Sequence, residues 1–291
     1  MREIKYHNGE TIKVDGLHFY GCSYVAGQEL MDKEMPDPMR IPVKEMKRQK
    51  GETVEGYYKR KLSRELLFKK KMKLENQLSW AQHMCNLLRV RSYNHGAHGA
   101  SMTYMKAKIL SHIMGEEYEI DKNKEAIVIG LTGFAREMIF TEYEDNTNNT
   151  LGKYGSARSL VVATDFERRG DPDFAKKYMR LKGVYTLFWH FLHEIYSIIN
   201  LCKINDIKFY IIPMLDVFNI EWYKKQYEMD FDTPQFASQI KFLESEIDKY
   251  IIEGTKLDPL GANIIERLPR GHPCAESHKL YGTKVGEKLL T

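Results

Sequence analysis

Apolar positions in this chain fall into a few short runs, separated by longer stretches in which they recur every three or four residues. The segment REIKYHNGETIKV (2–14) roughly alternates on either side of Asn8-Gly9, a two-residue turn signal, and predicts a hairpin. Leu17 to Gly21 is an apolar run that reads as a buried strand. It stops at Gly21-Cys22-Ser23, and a helix is expected from Gln28. RVRSYNHGAHGASM (89–102) predicts a strand followed by a loop punctuated with glycine. Ala126–Leu131 is the clearest strand, and Ile207–Leu215 is another. Between these runs the spacing is helical. Ser79–Leu88 carries an N-cap serine, 171–206 is broken near Gly183, and Phe236–Ile252 and Ser277–Leu290 follow. Strands separated by helices predict a mostly parallel sheet in a three-layer α/β/α sandwich. We read one domain, 1–291, with a basic helical insertion at about 31–78 and a second insertion of loop and helices at about 141–200.

In the first insertion, Lys and Arg between Lys44 and Lys73 are interleaved with Leu62, Leu66, Leu67 and Phe68 at helical spacing, which predicts an amphipathic helix with a solvated basic face. The first part of the second, residues 141–158, is polar and carries NTNNTLGKYG, the composition of a mobile loop. Hydrophobic residues make up 43% of the chain and aromatics 12%, enough for a real core. A net charge of +4 is modest for this length and does not predict nucleic-acid binding. Cys22, Cys85, Cys202 and Cys274 form no CxxC pair, which argues against a zinc knuckle or redox motif and suits a cytoplasmic location. No apolar run is long enough to predict a membrane-spanning helix, and the charged start MREIKYHNGE has no signal-peptide character. His95/His98 and His190/His193 have H-x-x-H spacing but no third ligand nearby, so both pairs read as structural or substrate-lining. No metal or cofactor is expected.

Ligands of open parallel sheets bind at the carboxyl ends of the strands. Three segments fall there: Gly21–Ser23, Asn94–Ser101 and Thr132–Arg136. A fourth, Gly271–Pro273, precedes the last helix. Ser23 would emerge where backbone amides are free to stabilise an oxyanion, and Gly99 would let the chain approach a substrate oxygen closely. His272 is the base that would activate Ser23. Cys22 reads as a buried neighbour of the turn, and Phe218, Trp222, Tyr223 and Tyr227 as a candidate pocket wall.

GCSYVAGQEL, SWAQHMCNLL…YNHGAHGASM, AIVIGLTGFAREMIF and GHPCAESHKLYGTKVGEKLL together resemble the successive blocks of the SGNH/GDSL hydrolase family. The likeness is greatest to the divergent branch common in tailed-phage genomes, and both insertions lie outside it. The resemblance implies a flavodoxin-like sheet, Ser23 as nucleophile, and the amides of Ser23 and Gly99 as oxyanion donors. It further implies Asn94 as loop organiser, His272 followed by Pro273 as base, and His278 as a residue that caps or packs the last helix. Two positions depart from the pattern. Pro269 stands where the family carries the aspartate that orients the histidine, leaving a main-chain carbonyl, Asp258, Glu266 or Glu276 for that role. The third block lacks its asparagine, and Thr132 and Arg136 are the polar residues there. The expected function is a serine esterase or deacetylase acting on an ester or O-acetyl group, in the host cytoplasm if phage-encoded. The rival is a phage accessory binding module that keeps the fold without turnover and contacts nucleic acid or protein through Lys44–Lys73.

Overall fold

The structure is a computed structural model and describes residues 1–27, 30–31, 48, 50–97, 100–116, 118–134, 136–140, 157–161, 181–226, 236–262, 264–268 and 272–290. Strands β1 (Arg2–Lys5) and β2 (Thr11–Val14) pair antiparallel. Their connection takes the five residues 6–10 instead of two: the Gly9 amide donates to the Tyr6 carbonyl, with Gly9 at φ +84°. Strand β3 (Gly16–Tyr20) is buried throughout and runs into the short helix α1 (Ser23–Ala26). A helix thus begins already at Ser23, and the helix expected from Gln28 lies outside the described residues. Gly27, at φ +70°, follows it.

Helix α2 (Val54–Leu78) is capped by Thr53, whose hydroxyl accepts from the Gly56 amide. Helix α3 (Trp80–Leu88) is capped by Ser79. Strand β4 (Arg91–Asn94) and helix α4 (Met102–Ile113) follow, then β5 (Glu125–Leu131). Strands β6 (Arg136–Phe140) and β7 (Ala157–Val161) form an antiparallel pair apart from the main sheet. The sequence pattern did not announce this pair: of the segment read as a loop, 141–158, residues 141–156 lie outside the described residues, and Ala157 and Arg158 open β7. Helix α5 (Val184–Ile204) starts after Gly183, the break read from the sequence. Strand β8 (Lys208–Pro213) and helices α6 (Ile220–Gln226), α7 (Ala237–Asp248) and α8 (Ala275–Leu289) complete the described chain.

The main sheet has the order β4-β3-β5-β8, and every neighbouring pair is parallel. Numbered along the chain, this is the 2-1-3-4 order of flavodoxin-like folds, whose switch point lies between the first and third strands. Strands β3, β5 and β8 read as largely apolar runs because both faces are covered, whereas the edge strand β4 is polar and partly exposed. Side chains alternate between two cores. Tyr20, Ile127, Ile129, Leu131, Phe209 and Ile211 face α4, α5 and α7, while Leu17, Phe19, Val128 and Tyr210 face α3, α8 and the β1–β2 hairpin. The expected three-layer α/β sandwich is the observed architecture.

Helix α2 departs from the expected amphipathic pattern. Leu62, Leu66 and Leu67 are exposed, whereas Lys71 and Glu75 are buried with their charges 3.8 Å apart. The side chain of Phe68 and the segment around Lys44 lie outside the described residues.

Candidate active site

Because the four strands are parallel, the residues that leave β3, β4 and β5 at their carboxyl ends share one rim of the sheet. At the end of β3 the chain turns sharply. A Cβ on Gly21 would sit 2.8 Å from Cβ of Val25 and 3.3 Å from the Gly130 carbonyl, so glycine is what allows the turn. The amides of Val25 and Ala26 both donate to the Cys22 carbonyl, at 2.9 and 3.0 Å. That closes the turn and leaves the amides before them, beginning with Ser23, outside its internal hydrogen bonds. Cys22 is fully buried, and all four cysteines are free thiols.

The segment leaving β4 lies directly against this turn. The side-chain amide of Asn94 donates to the Val25 carbonyl (2.8 Å) and to Oγ of Ser79 (3.3 Å), while its oxygen accepts from the Gly96 amide (2.9 Å). The His95 amide donates to the Phe19 carbonyl (2.8 Å) and the Ala97 amide to the Gly21 carbonyl (2.9 Å). Packing is so close that a Cβ on Gly96 would lie 2.6 Å from the Ala26 nitrogen. His98 and Gly99 lie outside the described residues. Ser101 then caps α4, its hydroxyl accepting from the Tyr104 amide.

At the end of β5, Thr132 is fully buried, and its Oγ1 has no hydrogen-bond partner among the described residues. Arg136 opens β6, where it is in register with Val161, so it belongs to the separate hairpin and not to the turn that ends β5.

His272 comes from the far end of the chain. Its carbonyl accepts from the Leu268 amide (2.8 Å), the Cys274 amide donates to the Glu266 carbonyl (3.0 Å), and Arg267 bridges Pro273. This narrow hairpin carries His272 to α1, where its ring lies 5.4 Å from that of Tyr24, the residue after Ser23. Pro269 and Gly271 lie outside the described residues. Of the carboxylates weighed as orienters, Asp258 is ion-paired with Lys284, and Glu266 and Glu276 are exposed. His278, on α8, is fully buried, and its Nδ1 accepts the Trp80 amide at the start of α3 (3.1 Å). Burial, helped by His272 and His83, lowers its pKa to about 3, so the ring is neutral with its proton on Nε2.

A cavity of about 450 Å³ opens beside the start of α4 and the segment that follows β5, lined by Met102 and Thr103 of α4, Phe134 beyond Thr132, and Trp189, His190, His193 and Glu194 of α5. His190 and His193 therefore line a cavity, and Lys106 pairs with Glu194 at 2.6 Å. Trp189 stacks on Phe236 (4.9 Å) and donates from its indole N–H to Gln239 (2.8 Å). Phe218 packs against the core, not against this cavity. The side chains of Trp222 and Tyr223, and Tyr227 entirely, lie outside the described residues. Among the described residues no group of three or more potential ligands converges as a metal site.

One constellation escaped the sequence reading. His18, in the middle of β3, is fully buried between Glu125 and His95: its Nε2 lies 3.0 Å from Oε2 of Glu125 and its Nδ1 3.0 Å from Nε2 of His95. The signal available was a polar residue at the centre of one apolar run, His18, and another at the head of a second, Glu125. Without the pairing of β3 and β5, nothing linked His18 to Glu125.

No family model and no curated protein matches the chain. Solved structures resemble it in fold, among them the following three. A protein assigned to the lipolytic G-D-S-L family, from Desulfitobacterium hafniense, aligns with a TM-score of 0.42 at 10% identity, over 94% of this chain and 99% of its own. A catalytic mutant of an acetylxylan esterase from Geobacillus stearothermophilus aligns at 0.43 and 11%, over 95% and 94%. A carbohydrate esterase family 2 enzyme with a carbohydrate-binding domain, from Corynascus thermopiles, aligns at 0.41 and 13%, over 96% and 68%.

Proposed function

We propose that the protein is a serine hydrolase that cleaves an ester or O-acetyl group through an acyl-enzyme on Ser23. The observation that carries this reading is the packing of the His272 ring against Tyr24, on a turn at the switch-point rim of a parallel sheet. In the proposed reaction, Ser23 Oγ attacks the carbonyl carbon while His272 takes its proton. The oxyanion that forms is held by the amides of Ser23 and Gly99 and by the Thr132 hydroxyl. Collapse breaks the carbon–oxygen bond to the leaving alcohol, which receives the proton from His272. Water then attacks the acyl-enzyme with His272 again as base, releasing the acid and restoring Ser23. Asn94 serves by organising the loop. The cavity beside α5 takes the substrate, and its aromatic wall of Trp189 and Phe134 with polar neighbours suits an O-acetyl carbohydrate. Transfer of the acyl group to another acceptor would use the same intermediate. The four free thiols support a cytoplasmic site of action.

The test is labelling with a fluorophosphonate probe together with hydrolysis of an activated acetyl ester. Wild-type protein should form an adduct on Ser23, and Ser23→Ala should lose both adduct and turnover, the latter by about a thousandfold or more. A Ser23→Ala variant with full esterase activity would rule the mechanism out. A second reading, a binding module without turnover, is favoured by one feature: α2 holds Tyr58, Leu62 and Leu66 outward among exposed lysines. Wild-type protein that forms no adduct at Ser23 would favour that reading.

A further inference from the structure

We propose that Glu125, His18 and His95 form a buried relay that positions the segment leaving β4 for reaction at Ser23, an inference that rests on the hydrolase reading above. The proton positions follow from one end. The Glu125 carboxylate accepts from the Asp121 amide (3.0 Å) and the Tyr118 hydroxyl (3.1 Å), with an Arg91 nitrogen 3.9 Å away. A carboxylate only accepts, so His18 donates to it from Nε2. Burial lowers the pKa of His18, which keeps the ring neutral and makes its Nδ1 an acceptor. His95 must then donate from Nε2, and burial, reinforced by its histidine neighbours, pushes its pKa to about 2. Each proton along the chain is fixed by the one before it.

Packing fixes the rings as firmly. Tyr93 stacks on His18 at 4.4 Å and 12°. The His95 ring lies within 6° of the plane of His18 and packs against Tyr20 (4.9 Å) and His112 (4.5 Å). His112 is held in turn by the Tyr20 hydroxyl (2.6 Å). His95 thus cannot flip or swing without breaking the relay. It is also the first residue after β4, and the backbone it anchors bonds Phe19 and Gly21 and touches Ala26, the residues on either side of Ser23.

Stability does not require this arrangement. A buried polar chain is replaceable by apolar side chains of similar volume at little cost, and often with a gain. A reaction whose rate depends on where a loop amide sits does require it, because a misplacement of about 1 Å costs about a hundredfold in rate. The groups act through the loop, so they are positioning residues.

The experiment compares His18→Leu, His95→Phe, Glu125→Leu and Glu125→Gln in the full chain. Readouts are kcat and KM on an activated acetyl ester, and hydrogen exchange of the Gly96 and Ala97 amides. His18→Leu and His95→Phe should lower kcat about 10- to 100-fold with KM unchanged, and speed exchange at both amides. Glu125→Gln can still accept from His18 and the Asp121 amide, with Tyr118 turned to accept from its NH2. It should restore most of the kcat lost in Glu125→Leu. Folded His18→Leu with wild-type kcat, or a loss confined to KM, overturns the proposal. If His18→Leu fails to fold, His95→Phe, at the partly exposed end of the relay, decides by the same criteria. Wild-type protein without a Ser23 adduct rejects the hydrolase reading, whereas unchanged amide exchange in His95→Phe rejects the relay itself.

Discussion

Thr132 carries a hydroxyl in a place where an unpaired polar group is expensive: it is fully buried, and Oγ1 has no partner among the described residues. Such a group costs roughly 1–3 kcal/mol relative to a satisfied or apolar one. A site that wants a donor for a transient oxyanion has reason to keep it. Thr132→Val therefore separates the two effects. Stability in urea should rise or stay level, while kcat falls by about a hundredfold if the hydroxyl serves as a donor. A variant that is more stable and equally active would remove Thr132 from the mechanism. Asn94 is the opposite case, since its amide is fully used on Val25, Ser79 and Gly96. Asn94→Ala strips partners from a buried carbonyl and a buried amide at once and should cost about 2 kcal/mol in urea denaturation.

The β3–α1 turn shows how much of an element a sequence can declare. Strands β3, β5 and β8 were legible because a parallel sheet buried on both faces needs unbroken apolar runs. The start of α1 was not, because a helix of four residues, Ser23–Ala26, is too short to show a period. Gly21 was legible as a turn residue, but its reason, the closeness of Val25 and Gly130, exists only in the folded chain. Gly21→Ala should destabilise the protein by about 1–3 kcal/mol and slow adduct formation at Ser23, read by thermal melting and labelling rate. Helix α2 was misread for a related reason. Its leucines and lysines have helical spacing, yet tertiary packing buries Lys71 and Glu75 and leaves Leu62 and Leu66 outside. Removing either member of that buried pair alone, as in Glu75→Leu, should cost about 3–5 kcal/mol. The double change Lys71→Met with Glu75→Leu should recover most of it, as a double-mutant cycle would reveal.

The strand order does for the whole molecule what no single block does. By placing β3 between β4 and β5, it brings Ser23, the Asn94 loop and Thr132 to one rim, and it stacks His18 between Glu125 and His95 beneath them. The same arrangement leaves several histidines buried in neutral form, which ties folding to pH. The pKa values of His95 and His278 are lowered to about 2 and about 3, chiefly by burial. In the unfolded chain both groups would titrate near 6.5. Between those limits the unfolded state binds protons that the native state refuses, so stability falls as pH falls. It is complete above about pH 6.5 and declines by about 1.4 kcal/mol per pH unit for each group until the native values are reached. From neutral pH to about 5, the two histidines together should remove roughly 4 kcal/mol, and His18, shifted in the same direction, adds to the loss. That is a large share of the stability of an ordinary domain. Urea unfolding at pH 7.5 and pH 5.0 should register the drop, well above the range in which most carboxylates protonate. His278→Gln, whose side-chain oxygen can still accept the Trp80 amide, should recover about half of it. A stability that stays level across that interval would mean that these rings reach water or a proton in the native state.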